Sequence, residues 1–512
     1  MATSDQVRGL NIQPASSTAG LTASSATSLT VGEVSVTTSN AAAVNLSSSG
    51  GTISLTSVSA NGGSNGIVLN NTTGTFTVAG TGGICTEANT SGCSGGTIQN
   101  MTGADDSGVT PIGTGIVLNN AVGVSLTRMY IHDQSNYGIR GTSVNGFALD
   151  NSVVNGVNGT NVATPFNDGS ISFDNLSGTS AITNSAVAGG YQRNIRVDNT
   201  TGTLNLTVNN DSIHNTGNVA GDDGLFVEVG GGTATLTVTN NTFAAHGGDH
   251  FNLSLLGSPT VDLTFSGNSW SGGHPIGLGQ GLFILGATFN GAFTYDILNN
   301  GTVGSPLVGN NSGGAIHVNK GSGTGTFSGT ISNNVIGDPA VNSSGSANAS
   351  GIDVEAHGAG GSHTTLITNN LVRQFHNDGI LIQAGEGNAA FNVTMTGNTV
   401  SDPDASLASF HGVHFNIGTI SVPADALQAC LDVRNNTLTN GANEPNGGVD
   451  LRMRQRQATT VRLPGYGAAN NDNAAVQAFL MGTNGNAVTT ILASNSVPTG
   501  GGYVGGAACP QP

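Results

Sequence analysis

The chain has 512 residues, of which only 8% are charged, 80 are glycine and 36% are hydrophobic. Charge is sparse against about 25% in a typical globular protein, and a chain this rich in glycine could be disordered, but apolar residues recurring at fixed spacing supply a core. With 29 acidic against 12 basic residues the formal net charge is −17, which disfavours nucleic acid and anionic membrane as partners, and no apolar run is long enough to span a bilayer.

Residues 1–50 are rich in Ser, Thr and Ala with short alternating patches such as TVGEVSVTT. They read as an N-terminal cap or first irregular coils. The opening MATSDQVRGL lacks the charged start and apolar stretch of a secretion signal. Next come the first two of four cysteines, Cys85, Cys93, Cys430 and Cys509. Four cysteines allow three pairings. Zinc is the rival reading, but no C-x-x-C spacing is present, and the favoured pairs are Cys85–Cys93 and Cys430–Cys509. Even, sparse cysteine use fits an oxidising, extracellular setting.

From about residue 51 two phrases interleave. TLTVTNNTF (Thr235 to Phe243) returns as TISNNVIG, LITNNLVR, VTMTGNTV and DVRNNTLT, while GLFVEV returns as AIHVN, GIDVEA, GILIQA, GVHFNI and GVDLRM. Apolar residues alternate in both, the mark of strands with one buried face. From the first-strand glycine to the second Asn the distance holds at 20 residues (Gly314 to Asn334) or 19 (Gly351 to Asn370, Gly379 to Asn398), whereas the connection onward varies from 9 to 17. A segment in fixed register plus one loop of free length describes a solenoid with its insertions on one face. Three short strands per repeat, stacked about 4.8 Å apart, form a parallel β-helix. Asn tolerates the left-handed backbone of a tight corner, and stacked carboxamides can bond from coil to coil. Asn241, Asn268, Asn300, Asn334, Asn370, Asn398 and Asn436 are the expected structural ladder.

These phrases resemble the right-handed parallel β-helix, or pectin-lyase-like, superfamily. The resemblance covers residues 51–460 in roughly twelve coils, and is closest to large bacterial extracellular and surface β-helix repeat proteins. The expected fold is therefore all-β, with an N-terminal cap (1–50), a β-helix (51–460) and a C-terminal cap (461–512) carrying a short helix near Asp472 to Gly482. The superfamily includes polysaccharide lyases, glycoside hydrolases, phage tailspikes and adhesins, so it says little about activity.

Aligned at their small residues, the first strands send two columns of side chains outward. Asp174, Asp198 and Glu228 would stack as a hard-oxygen site suited to Ca²⁺, unless Arg193 and Arg196 neutralise them. No other cofactor is implied. Phe226 and Phe283 present aromatic faces that could stack on sugar rings, or form core beneath a loop. The resemblance implies a working groove on this face, and the candidate catalytic residues are His317, Asp353, Glu355, His414 and Asp450, paired carboxylates being able to divide acid and base work. The ordered Asn-Thr-Asp, Asp-Asp, His-Gly and Arg-x-Lys motifs of polygalacturonases do not recur, which favours a chance constellation. Arg452, Arg454 and Arg456 alternate in DLRMRQRQ and would line one side of a strand, to hold an acidic glycan or to pair with Asp450 and Glu444.

The expectation is a secreted or cell-surface β-helix serving as a rigid adhesive or structural module. It would bind a polysaccharide or a surface protein on its first-sheet face and variable loops. The alternative is a polysaccharide lyase or glycoside hydrolase acting on an extracellular polymer.

Overall fold

The computed structural model describes residues 1–105, 108–160, 168–217, 221–271, 279–308, 313–404, 411–419, 425–439, 448–485, 490–495 and 501–512. Every strand pair among them runs parallel, and each strand bonds the corresponding strand of the coils before and after it. The chain is a parallel β-helix in two compact units: residues 1–228 with 233–247, and residues 229–232 with 248–512.

Alternation in the sequence becomes columns in space. In the first unit Val44, Ile67, Ile116, Ile139, Ile171 and Ile195 stand in register along the first sheet, all fully buried. Leu282, Ile316, Ile352, Ile380, Val413 and Leu451 do the same in the second unit. Each such side chain withdrawn from water contributes about 1.5–3 kcal/mol. β-Branched residues also suit the pleat, because their restricted χ1 matches stacked strands.

The Asn pairs divide two tasks between them. The first Asn takes the left-handed corner: φ is 57° at Asn240, 56° at Asn299, Asn333 and Asn435, and 55° at Asn369. Gly267 (68°) and Gly397 (70°) replace it before Asn268 and Asn398. The second Asn is buried and forms the ladder. In the second unit the backbone N–H and Nδ2 of Asn300 both donate to Oδ1 of Asn334, at 3.1 and 2.8 Å. The pattern repeats from Asn334 to Asn370, Asn370 to Asn398 and Asn398 to Asn436. In the first unit the same column is Ser152, Ser185, Asp211 and Asn241, again with each backbone N–H donating to the next side chain.

The ends are more regular than the sequence suggests. Leu21–Ser24 already pairs in register with Val44–Ser47. Beyond residue 460, Ile491–Asn495 and Gly502–Val504 add strands to both main sheets. The helix Asn473–Thr483, capped by Asp472, buries Val476 and Leu480. Its C-cap residue, Asn484, supplies the ladder's last acceptor, taking bonds from Asn436 N–H at 2.9 Å and Nδ2 at 3.1 Å. Both disulfides form as expected, Cys85–Cys93 and Cys430–Cys509.

Candidate functional site

The first sheet of the second unit carries the site. Its outward columns, read by strand register, are Phe283, His317, Asp353, Leu381, His414, Arg452 and, two residues on, Leu285, Asn319, Glu355, Gln383, Asn416, Arg454. Strand alternation alone puts these side chains on one face. The columns match the sequence reading except at the end. Aligned at their glycines, GVHFNI and GVDLRM would set Asp450 opposite His414, but Arg452 stands there and Arg454 follows in the next column. The GVDLRM phrase is displaced by two residues, so Asp450 sits level with Gly412, buried, and its Oδ2 accepts from Thr490 N–H at 2.8 Å. It is a coil-to-coil anchor rather than part of the outward face.

Two groups form on this face. In one, ligand-type atoms of His317, Asp353 and Glu355 all lie within 4.8 Å of one another. Glu355 is the centre: Asn319 Nδ2 (2.6 Å) and His357 (3.0 Å) bond Oε2, Gln383 bonds Oε1, and His317 Nε2 stands 3.4 Å from Oε1. Burial alone would raise the Glu355 carboxyl, but the two imidazoles hold it well below the carboxylate range. Asp353 has no such donors, and burial raises it. Both flanking imidazoles are raised despite burial, through Glu355. Phe283 packs on His317, ring centres 5.0 Å apart.

The second group joins Asp378, His411 and His414. Asp378 Oδ1 accepts from His411 N–H at 3.1 Å, and Oδ2 lies 3.2 Å from His414 Nδ1. His411 Nδ1 accepts from Val449 N–H at 3.2 Å, so in the neutral ring Nε2 carries the proton and is a donor. Burial pushes His411 down to about 4, which keeps the ring neutral at physiological pH. With Arg452, Arg454, Gln383, Asn416 and Asn377 these residues line a cavity of about 500 Å³. Burial, then the neighbouring guanidiniums, lowers Arg454 to about 10. Burial and Arg452 lower Arg456 as well, just beyond the strand. Among the described residues no carboxylate stands within 4.0 Å of Arg452, Arg454 or Arg456. Glu444, an expected partner, lies outside the described residues.

The acidic column of the first unit is differently employed. Arg196 bonds Asp174 at 2.5 Å and Asp198 at 2.6 Å, and Arg140 also bonds Asp174. Asp174 is lowered against its own burial by these guanidiniums. They supply the positive charge that a Ca²⁺ would bring. Glu228 is half-buried in the same unit. Arg193 lies over the Phe226 ring, 4.2 Å from its centre, a cation–π contact that covers the face expected to meet sugar.

Sequence reasoning passed over two members of the site. His411 directly precedes a first-strand glycine, as Asp378 does one coil earlier, and that shared position was the available signal. Gln280 sits in GLGQGLF, a glycine-rich phrase of no fold-specific meaning, yet its Oε1 is 3.0 Å from His317 Nδ1. No protein-family model matches the chain, and no curated protein or solved structure is significantly similar to it. Among the described residues no helix is long and apolar enough to cross a membrane.

Proposed function

We propose that the protein is a secreted or cell-surface β-helix of the pectin-lyase-like kind that binds an acidic polysaccharide on the first-sheet face of its second unit. The observation that carries this reading is the cavity of about 500 Å³ in which Arg452, Arg454, His411 and His414 converge with three side-chain amides. Planar guanidiniums match carboxylate or sulfate geometry, and amides match sugar hydroxyls. Asp378 also lines the cavity, but no described carboxylate stands within 4.0 Å of Arg452 or Arg454, which leaves both guanidiniums to pair with an anion.

The test is calorimetric titration with oligogalacturonate, chondroitin sulfate oligosaccharides and neutral glucan oligosaccharides. Acidic oligomers should bind, neutral ones should not, and Arg454→Ala should weaken binding about 10-fold or more. Equal binding of neutral glucans, or an unchanged Arg454→Ala, would defeat the proposal. The convergence of Asp353 and Glu355 within one group favours a second reading, a lyase or hydrolase. New reducing ends or unsaturated uronate in the same samples, abolished by Asp353→Asn, would replace binding with turnover.

A further inference from the structure

The two groups on the first sheet look alike in composition, yet their hydrogen bonding sets them apart. In the Asp378 group His411 Nδ1 is already an acceptor for Val449 N–H, which turns Nε2 into a donor. Arg452 and Arg454 border the same cavity. That group is arranged for an anion.

The His317 group is arranged in the opposite sense. Gln280 Oε1 can only accept, so the 3.0 Å contact fixes a proton on His317 Nδ1 and, in the neutral ring, places the lone pair on Nε2. Gln280 is itself held in place, its backbone N–H donating to Asp249 Oδ1 at 2.7 Å. His317 Nε2 stands 3.4 Å from Glu355 Oε1. Beside them Asp353 Oδ1, like His317 Nε2, is withdrawn from solvent and has no hydrogen-bond partner. With His317 neutral and both carboxylates ionised, three electron-pair donors converge within 4.8 Å of one another. Buried groups left in this state cost free energy unless something satisfies them.

A metal ion is what such a set satisfies. Ligands about 2.1 Å from a tetrahedral ion lie about 3.4 Å from one another, the separation found between His317 Nε2 and Glu355 Oε1. The surrounding contacts are also those of metal centres, in which the second imidazole nitrogen and the ligating carboxylates are held by outer hydrogen bonds. Gln280 does this for His317, and Asn319, Gln383 and His357 do it for Glu355.

We infer that His317 Nε2, Asp353 and Glu355 form a binding site for a divalent first-row transition ion, Zn²⁺ by default. One imidazole and two carboxylates favour such an ion over Ca²⁺, which takes six to eight oxygens. Three protein ligands leave at least one coordination position for water or for an oxygen of a bound molecule. Gln280 is a positioning residue for this site. The inference stands apart from the acidic-glycan reading, because the ion would bind in the absence of any sugar.

The test uses the whole chain, freed of metal with chelator and titrated with Co²⁺ and Zn²⁺ without glycan. Expected are one Co²⁺ per chain, visible d–d absorption of four- or five-coordinate cobalt, and displacement by Zn²⁺. His317→Gln and Asp353→Asn should each weaken Co²⁺ binding about 100-fold, and Gln280→Ala about 10-fold. His414→Gln, in the neighbouring group, should leave it unchanged. Unaltered circular dichroism of each variant separates loss of ligand from loss of fold. Absence of stoichiometric Co²⁺ binding, an undiminished site in both ligand variants, equal loss in His414→Gln, or Ca²⁺ binding tighter than Zn²⁺ would each overturn the assignment. Glycan binding that failed while Co²⁺ bound as described would sink the glycan reading alone.

Discussion

Asp211 occupies a ladder position that elsewhere belongs to asparagine, and its chemistry differs accordingly. It is buried, Oδ1 accepts from Ser185 N–H at 2.7 Å, and burial raises its carboxyl to about 8. A folded Asp211 therefore keeps its proton at pH 7, whereas the unfolded residue ionises near 3.8. Between those values the unfolded state binds fewer protons, so stability is full below about pH 4 and falls as pH rises towards 8, by about 1.4 kcal/mol per unit. Asparagine carries a permanent donor, as Asn241 shows by bonding Val208 O at 2.9 Å. Asp211→Asn should raise the denaturation midpoint of the first unit at pH 8 and leave it nearly unchanged at pH 4; a pH-independent difference would count against a protonated carboxyl. In the second unit, Asn334→Ala would leave the N–H of Asn300 without its acceptor and remove one donor from the carbonyl of Ile297. The expected cost is about 3 kcal/mol, read as a shift in urea midpoint.

At the scale of strands and their connections, the two disulfides make a natural comparison. Cys85 and Cys93 are 8 residues apart, Cys430 and Cys509 are 79 apart. In the chain-entropy picture the longer loop contributes about 4.5 kcal/mol and the shorter about 2.5 kcal/mol. Cys430→Ala with Cys509→Ala should therefore destabilise more than the matching double substitution at Cys85 and Cys93, as measured by thermal midpoints. Strand positions were legible in the sequence because a two-residue period leaves few registers open. Where the phrase lost its glycine alignment, at GVDLRM, the reading slipped by two residues and misplaced Asp450. A partner that Asp450 does have, Thr490, lies 40 residues away and leaves no local pattern. The same limit hid Gln280 and His411. Their roles come from partners on neighbouring coils, whereas the Asn pairs announced themselves by repetition.

For the molecule as a whole, the net charge of −17 and the local Arg452–Arg454 stripe pull in opposite directions. An acidic oligosaccharide meets long-range repulsion before it reaches short-range attraction. Raising ionic strength from about 0.01 to about 0.15 M shortens the screening length from about 30 to about 8 Å. The association rate of an acidic ligand should therefore rise with salt over this range in surface-plasmon measurements, opposite to the behaviour of a basic binding protein. A falling rate would show that the local field dominates from the start. The composition made the global charge plain, but only strand register could show that the two arginines share a cavity with His411 and His414.

The ladder also has a direction. In both units each rung donates towards the following coil and accepts from the preceding one. A chain leaving the ribosome N-terminus first would dock every coil with its amide still waiting for an oxygen that has not yet been synthesised. Each new coil relieves its predecessor and inherits the deficit. The debt moves along the growing chain until Asn484, at the foot of the α-helix Asn473–Thr483, closes the account.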